Sequence, residues 1–368
     1  MRGFRAILRK EGLQMFRDRG TLRFALMVPV FQLVLFGLID TNVKHVPTVV
    51  FDQSRSPASR ELVDDFVNTS YFEVTGFAPS RQALRDAIVA GHASVGVEIP
   101  PDFEERRLRG QQASFLVLID GSDSSISAQT LGAANGVALN RSLAEVRTKM
   151  GVRDLPLEAR PTLLFNPDSR SANLLIPGLV AILLTFSGTL LSAYAIVRER
   201  ERGTLEQLMV TPASPLAVVL GKILPYLVLA YVQLGVVLAL MTFVFKVPIH
   251  GSVPLLLGLA GVYLFALLSL GLLVSSRART QMEATQIAQM VLLPSIMLSG
   301  YIFPLSSLPG PLRALAQILP ATHFIAISRG IVIRGASFHD LWEHVAALLV
   351  IAAVLVAGSA RAFQKTIS

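Results

Sequence analysis

The stretch Arg198–Pro212, RERERGTLEQLMVTP, decides how this chain is read. It joins two long apolar runs and is the only densely charged segment between them. An ionised side chain at the centre of a bilayer costs about 2.5–3.5 kcal/mol even on the lenient insertion scale. The stretch therefore lies at a membrane face, as a polar loop or short helix. Gly203-Thr204 can end one helix and cap the next. Thr204-Leu-Glu-Gln207 fits the capping box S/T-x-x-E/Q, and Pro212 closes the segment. These residues alone leave two readings open, a docking element for a soluble partner and a merely solvated charged loop.

Composition agrees with a membrane setting. Of 368 residues, 52% are hydrophobic and 16% charged, against about 25% charged in a soluble domain. The net charge of +8 does not indicate nucleic acid, because the basic residues cluster beside apolar runs, as the positive-inside rule requires. With no cysteine there is neither a disulfide framework nor a cysteine-based metal site.

Residues 1–20 place Phe4, Ile7, Leu8, Met15 and Phe16 near helical spacing, with Arg2, Arg5, Arg9, Lys10, Arg17 and Arg19 filling the other face. This predicts an amphipathic interfacial helix on an anionic leaflet; a disordered basic leader is the alternative. Residues 22–39 form the first apolar span, short enough to need tilt or snorkelling of Arg23. No small-x-small cleavage site follows Ile39, which favours an uncleaved span over a signal peptide.

Residues 40–170 change character. Strands are predicted at 46–51, 72–77, 93–99 and 114–119, and helices at 59–67, 80–90, 101–109 and 124–150, with Pro101 in the first turn of the third. Such alternation describes a small α/β domain. Asp120-Gly-Ser-Asp123 resembles a catalytic or metal loop, but also an ordinary strand-to-helix turn, the preferred reading. Asp64-Asp65 and Glu104-Glu105 read as solvated helix faces. His45 and His92 lack ligand spacing, and no nucleophile elbow, H-E-x-x-H or phosphate loop occurs. No catalytic, cofactor or metal residue is assigned.

From residue 174 to 368 the chain reads as a five-span domain, with spans at 174–197, 216–245, 253–275, 284–303 and 345–360. The fold class is thus an α-helical polytopic membrane protein of six spans with an inserted extracytoplasmic α/β domain. Arg198, Arg200, Arg202, Lys222, Arg277, Arg279, Arg361 and Lys365 fall on one side with the basic N-terminus, which puts both termini in the cytoplasm. Residues 303–334 are apolar but broken by Pro304, Pro309, Pro311 and Pro320, and predict two short re-entrant helices at 311–319 and 323–333; an external loop is the alternative. The spans carry almost no ionisable side chains, Lys222 and Glu343 lying at ends. Neither a proton relay nor a P-loop is present, so active transport needs an outside motor.

Three stretches then carry a resemblance. RERERGTLEQLMVTP is similar to the cytoplasmic segment R-E-x-E-x-G-T-x-E-x-L-x-x-T-P of type-2 ABC exporter permeases. RDRGTLRFALMVPVFQLVLFG resembles their first-span entry. SGYIFPLSSLP with LPATHFIAISRGIVIRGASFHDLW resembles their external re-entrant segment. The match covers nearly the whole chain, in the subgroup with a large external domain between spans one and two. It implies ATPase-coupling residues Arg198, Glu199, Glu201, Gly203, Thr204, Glu206, Gln207, Thr211 and Pro212. It also implies a re-entrant set Pro304, Pro309, Pro320, Arg329 and Gly330. A P-loop ABC ATPase would bind ATP and Mg, with no cofactor in this chain. A second permease copy would complete a homodimer or heterodimer, and a periplasmic adaptor is a further candidate partner. The implied activity is export of a hydrophobic or amphipathic compound, drug-like or lipid-like, from the cytoplasm or inner membrane. A membrane-anchored extracytoplasmic sensor is the competing reading, for which six spans and a re-entrant segment are excessive.

Overall fold

A computed structural model describes residues 4–39, 44–122, 124–150, 164–168, 170–201, 203 and 215–365. The chain divides into two compact units, Thr41–Thr162 and the remainder, Met1–Asp40 with Leu163–Ser368.

The inserted unit is an α/β domain. Its elements are β1 (Val46–Asp52), α3 (Pro57–Asn68), β2 (Phe72–Phe77), α4 (Arg81–Val89), β3 (Val95–Ile99), α5 (Phe103–Leu108), β4 (Leu116–Ile119) and α6 (Ser124–Met150). The sheet order is β2-β1-β3-β4. The first three strands are parallel and β4 is an antiparallel edge. Every residue of β3 is buried, as a strand covered on both faces must be. Val50, Leu62, Phe66, Val95 and Ile99 form its core. Helix α3 starts on a capping box between Ser56 and Ser59. Strand and helix order matches the sequence reading, with one correction. Helix α5 begins at Phe103, so Pro101 sits in the preceding turn rather than the first helical turn. Helix α6 runs through Gly132 and Gly136 without a break.

The other unit is helical: α1 (Phe4–Arg17), α2 (Arg19–Gly37), α7 (Ser171–Glu201), α8 (Pro215–Ala239, continued as a π-helical turn over Leu240–Val244), α9 (Val253–Arg277), α10 (Gln281–Leu298), α11 (Gly310–Ala316), α12 (Pro320–Arg334) and α13 (Trp342–Lys365). Among the described residues, four helices are long and apolar enough to cross a membrane: Ser171–Glu201, Ala217–Val244, Val253–Arg277 and His339–Ala362. The count reaches six if α1 with α2, bent by 65°, and α11 with α12, bent by 79°, each make one span. The segment 284–303 reads differently from expectation. Helix α10 ends at Leu298, and Gln281, Glu283, Gln286 and Gln289 make its first half polar.

Helix α7 is the centre of this unit. Its 31 residues rise about 46 Å, well beyond an apolar layer of about 30 Å. Its middle is buried almost without interruption from Ile176 to Leu184. The Ser328 hydroxyl of α12 donates to the Pro177 carbonyl at 2.8 Å, tying α12 to α7. Helices α8, α9 and α12 supply most of the surrounding core, including Leu234, Tyr263 and Phe324.

Candidate functional site

At one end of this bundle, where the charged stretch leaves α7, three helices converge on buried charge. Helix α1 turns Ile7, Glu11 and Met15 inward, successive positions four apart on one face. Glu11 thus interrupts an otherwise apolar stripe, at 2% exposure. Lys222 of α8 is completely buried. Its ammonium lies 2.5 Å from Glu11 Oε1 and 2.7 Å from Glu199 Oε2 on α7. Lys10 also pairs with Glu199. Close approach of α1 to α8 depends on Gly221, where a Cβ would sit 2.9 Å from Ile7 Cγ2.

A buried ammonium is tolerated only when paired and hydrogen-bonded, and here two carboxylates do both. Because α1, α7 and α8 each supply one member, none of the three can shift at this end without uncovering a charge. Lys222, read from sequence as flanking the cytoplasmic connection, is also the hub of this cluster. Its acidic partners are 211 residues distant in Glu11 and on the preceding helix in Glu199. The signal that could have found them is Glu11 itself, an acid four residues from both Ile7 and Met15.

The charged stretch begins inside helix α7, which continues through Glu201; Gly203 has a left-handed φ of +67°, as a helix-ending glycine does. Its first charges are engaged within the chain. Arg198 pairs with Asp18 at the α1–α2 junction. Arg200 donates to the Ala278 carbonyl at the end of α9. Glu201 accepts the backbone N–H of Gln281 at 2.8 Å, at the start of α10, and also its side-chain amide. The charges on residues 198–201 therefore knit α7 to α2, α9, α8 and α10. Thr204, Glu206, Gln207, Thr211 and Pro212 lie outside the described residues.

At the opposite end of α7, the segment 303–334 folds as two helices meeting at 79°. They start and stop a few residues from the predicted positions. Pro304 and Pro309 precede a 3₁₀ turn and α11, and Pro320 opens α12. Helix α12 is not a surface loop, since Phe324, Ile327 and Ile331 are fully buried. Arg329 donates to the carbonyls of Gly300 at 2.8 Å and Tyr301 at 3.1 Å, just beyond α10. Gly178 of α7 makes room for it, because a Cβ there would sit 3.0 Å from the guanidinium and 3.0 Å from the Tyr301 ring. Gly330 packs under Leu341, where a Cβ would meet the Leu341 side chain at 2.8 Å. The expected result of Gly178→Leu is loss of this junction, with lowered thermal stability and increased protease cutting near residue 300; an unchanged cleavage pattern would contradict the assignment.

The remaining sequence candidates do not form a site. Asp120 Oδ1 accepts the Ser122 N–H at 2.9 Å, the turn geometry preferred from sequence; this bond holds its carboxyl below the usual range. Asp123 lies outside the described residues. No group of three or more metal-ligating side chains occurs among the described residues.

Comparison with known proteins gives this architecture a family. Residues 19–361 match the family model described as ABC-2 family transporter protein. The chain is 30% identical to the probable multidrug ABC transporter permease YbhS of Escherichia coli K12 over 337 residues, 91% of this chain and 89% of that protein. It is 28% identical to the probable multidrug ABC transporter permease YbhR over 364 residues, 98% of each. It is 29% identical to the inner membrane transport permease YhhJ over 334 residues, 89% of this chain and 87% of that protein. With these matches running through both ends of the helical unit and the inserted domain, the chain belongs to the ABC-2 transporter family as a membrane permease.

Proposed function

We propose that this chain is the membrane half of an ATP-driven exporter, moving a hydrophobic or amphipathic compound out of the cytoplasm or the inner leaflet of the inner membrane. A separate P-loop ATPase binds ATP and Mg and docks on the segment 198–212. Two permease copies, identical or paralogous, enclose the pathway. The observation that carries this reading is the Lys222 cluster, which ties α1 to the ends of both helices that flank the 202–214 connection. A push on that connection is delivered to three helices at once. The similarity to permeases named for multidrug transport supports a drug-like or lipid-like cargo, and the largely apolar helices suit one.

In this reading α2, α7, α8, α9, α10 and α13 are the six spans, with α11 and α12 re-entrant from the outer face. Both termini and the charged stretch face the cytoplasm. The α/β domain at 40–170 lies outside, where it is placed to receive an adaptor protein or guide release. This reading assigns a sidedness, and the absence of cysteine makes that sidedness directly measurable. In intact spheroplasts, a membrane-impermeant maleimide is expected to label Ser142→Cys, on an exposed face of α6, and to leave Gln207→Cys unlabelled until the membrane is opened. The reverse pattern would refute the orientation.

A further inference from the structure

Two cavities lie in succession here, the Asp18 and Arg198 lining of one standing within a helical turn of the Gly20 and Tyr194 lining of the other. The first, about 600 Å³, sits at the elbow where α1 meets α2, lined by Lys10, Leu13, Gln14, Arg17, Asp18 and Arg198. The second, about 260 Å³, lies in the seam between α2 and α7 and is apolar, walled by Phe24 and Val28 of α2 and by Phe186, Leu190 and Tyr194 of α7. From Asp18 to Val28 the track covers ten residues of helix, about 15 Å. A cation-edged cavity thus adjoins an apolar slot, and the two together are about as long as a medium acyl chain.

Among the described residues the charge at the mouth is not fully cancelled. Lys10 is shared with Glu199 and Arg198 with Asp18, but Arg17 pairs with no carboxylate among the described residues and lies exposed. Beside it, Phe16 is 67% and Leu13 52% exposed. A soluble anion would satisfy Arg17 and leave these apolar side chains wet. An acidic protein surface would cover the mouth and leave the slot empty. Only a molecule with an anionic head and an apolar tail uses both cavities. We infer that the α1–α2 elbow and the α2–α7 seam bind an anionic phospholipid, its phosphate against Arg17 with Lys10 and Arg198 behind, and one acyl chain in the slot. The inference rests on the function proposed above only for which leaflet supplies the lipid.

Native mass spectrometry of the full-length chain, released from nanodiscs of phosphatidylglycerol mixed equally with phosphatidylcholine, tests this without reference to transport or ATPase. One phosphatidylglycerol per chain is expected, retained at least fivefold over phosphatidylcholine. Arg17→Gln is expected to abolish that preference. Arg5→Gln, which removes the same charge from exposed surface outside the elbow, is expected to preserve it. Val28→Trp, filling the slot, is expected to lower phosphatidylglycerol retention at least fivefold in protein that elutes and melts like the wild type. The site would be overturned by equal retention of the two lipids, by Arg5→Gln acting like Arg17→Gln, or by Val28→Trp having no effect. Displacement of the lipid by inorganic phosphate at matched ionic strength would equally overturn it, showing a soluble-anion site. So would its loss on adding the ATPase subunit, showing a protein interface.

Discussion

Lys222→Met is expected to be the most damaging single substitution in the chain. It removes the cation that, among the described residues, touches both Glu11 and Glu199, and leaves two carboxylates buried at 2% exposure each. Breaking a buried ion pair by deleting one partner costs about 3–5 kcal/mol, a large part of a typical stability margin. The measured outcome should be a severalfold lower yield of monodisperse protein in detergent and a markedly reduced melting temperature. Lys222→Arg should restore much of both. The combination Lys222→Met, Glu11→Gln, Glu199→Gln should also recover folding, because a neutral cluster of similar volume carries no stranded charge. Its value lies in separating two roles. If the cluster transmits force, the neutral triple variant folds but stimulates its ATPase poorly, since the three helices are no longer held together by charge. If the triple variant supports full ATPase stimulation, the cluster is only structural.

The second large effect is expected from the connection itself. Replacing residues 204–211 with a glycine–serine sequence of equal length removes the capping-box residues Thr204 and Gln207 together with Glu206, while leaving Arg198, Glu199 and Glu201 in their contacts with Asp18, Lys222 and Gln281. The permease should insert and remain folded, yet fail to copurify with the ATPase subunit. The charge reversal Glu206→Lys alone should weaken association at least tenfold. Glu201→Gln is expected to behave differently. Its carboxylate holds the start of α10, so its loss should loosen the α7–α10 contact with little effect on ATPase binding. Equal association of the wild type and the glycine–serine variant would remove 204–211 from the docking surface.

Much of this architecture is legible in the sequence because its signals are local. Charge exclusion places the connection between α7 and α8 at the stretch Arg198–Pro212. Period-two and period-3.6 patterning separates strands from helices in the inserted domain, where β2 and α6 match the predicted bounds. The end of α7 was less legible. Arg and Glu are good helix formers, and no breaker precedes Gly203, so the helix carries four charged residues past its apolar part. The prolines at 304, 309, 311 and 320 revealed a broken segment but not that α12 is a core helix, because its burial depends on α7 and α9. The Lys222 cluster was least legible. Its members come from residues 11, 199 and 222, and no local pattern brings them together. Glu11 shows only that something must meet it, as an acid on the buried stripe of α1. The same distance effect hides Gly178, an ordinary residue until α7 and α12 pack, and the partners of Arg329, which the family resemblance names without its contacts.

On the function proposed above, this permease transports only when a separate ATPase acts on it. The most direct measurement is ATP-dependent uptake of an amphipathic fluorescent compound into inside-out vesicles containing the permease, with and without the ATPase subunit. Uptake is expected only with both proteins and ATP, and is abolished by the glycine–serine replacement of 204–211. Uptake by the permease alone, driven by a proton gradient and insensitive to that replacement, would contradict it.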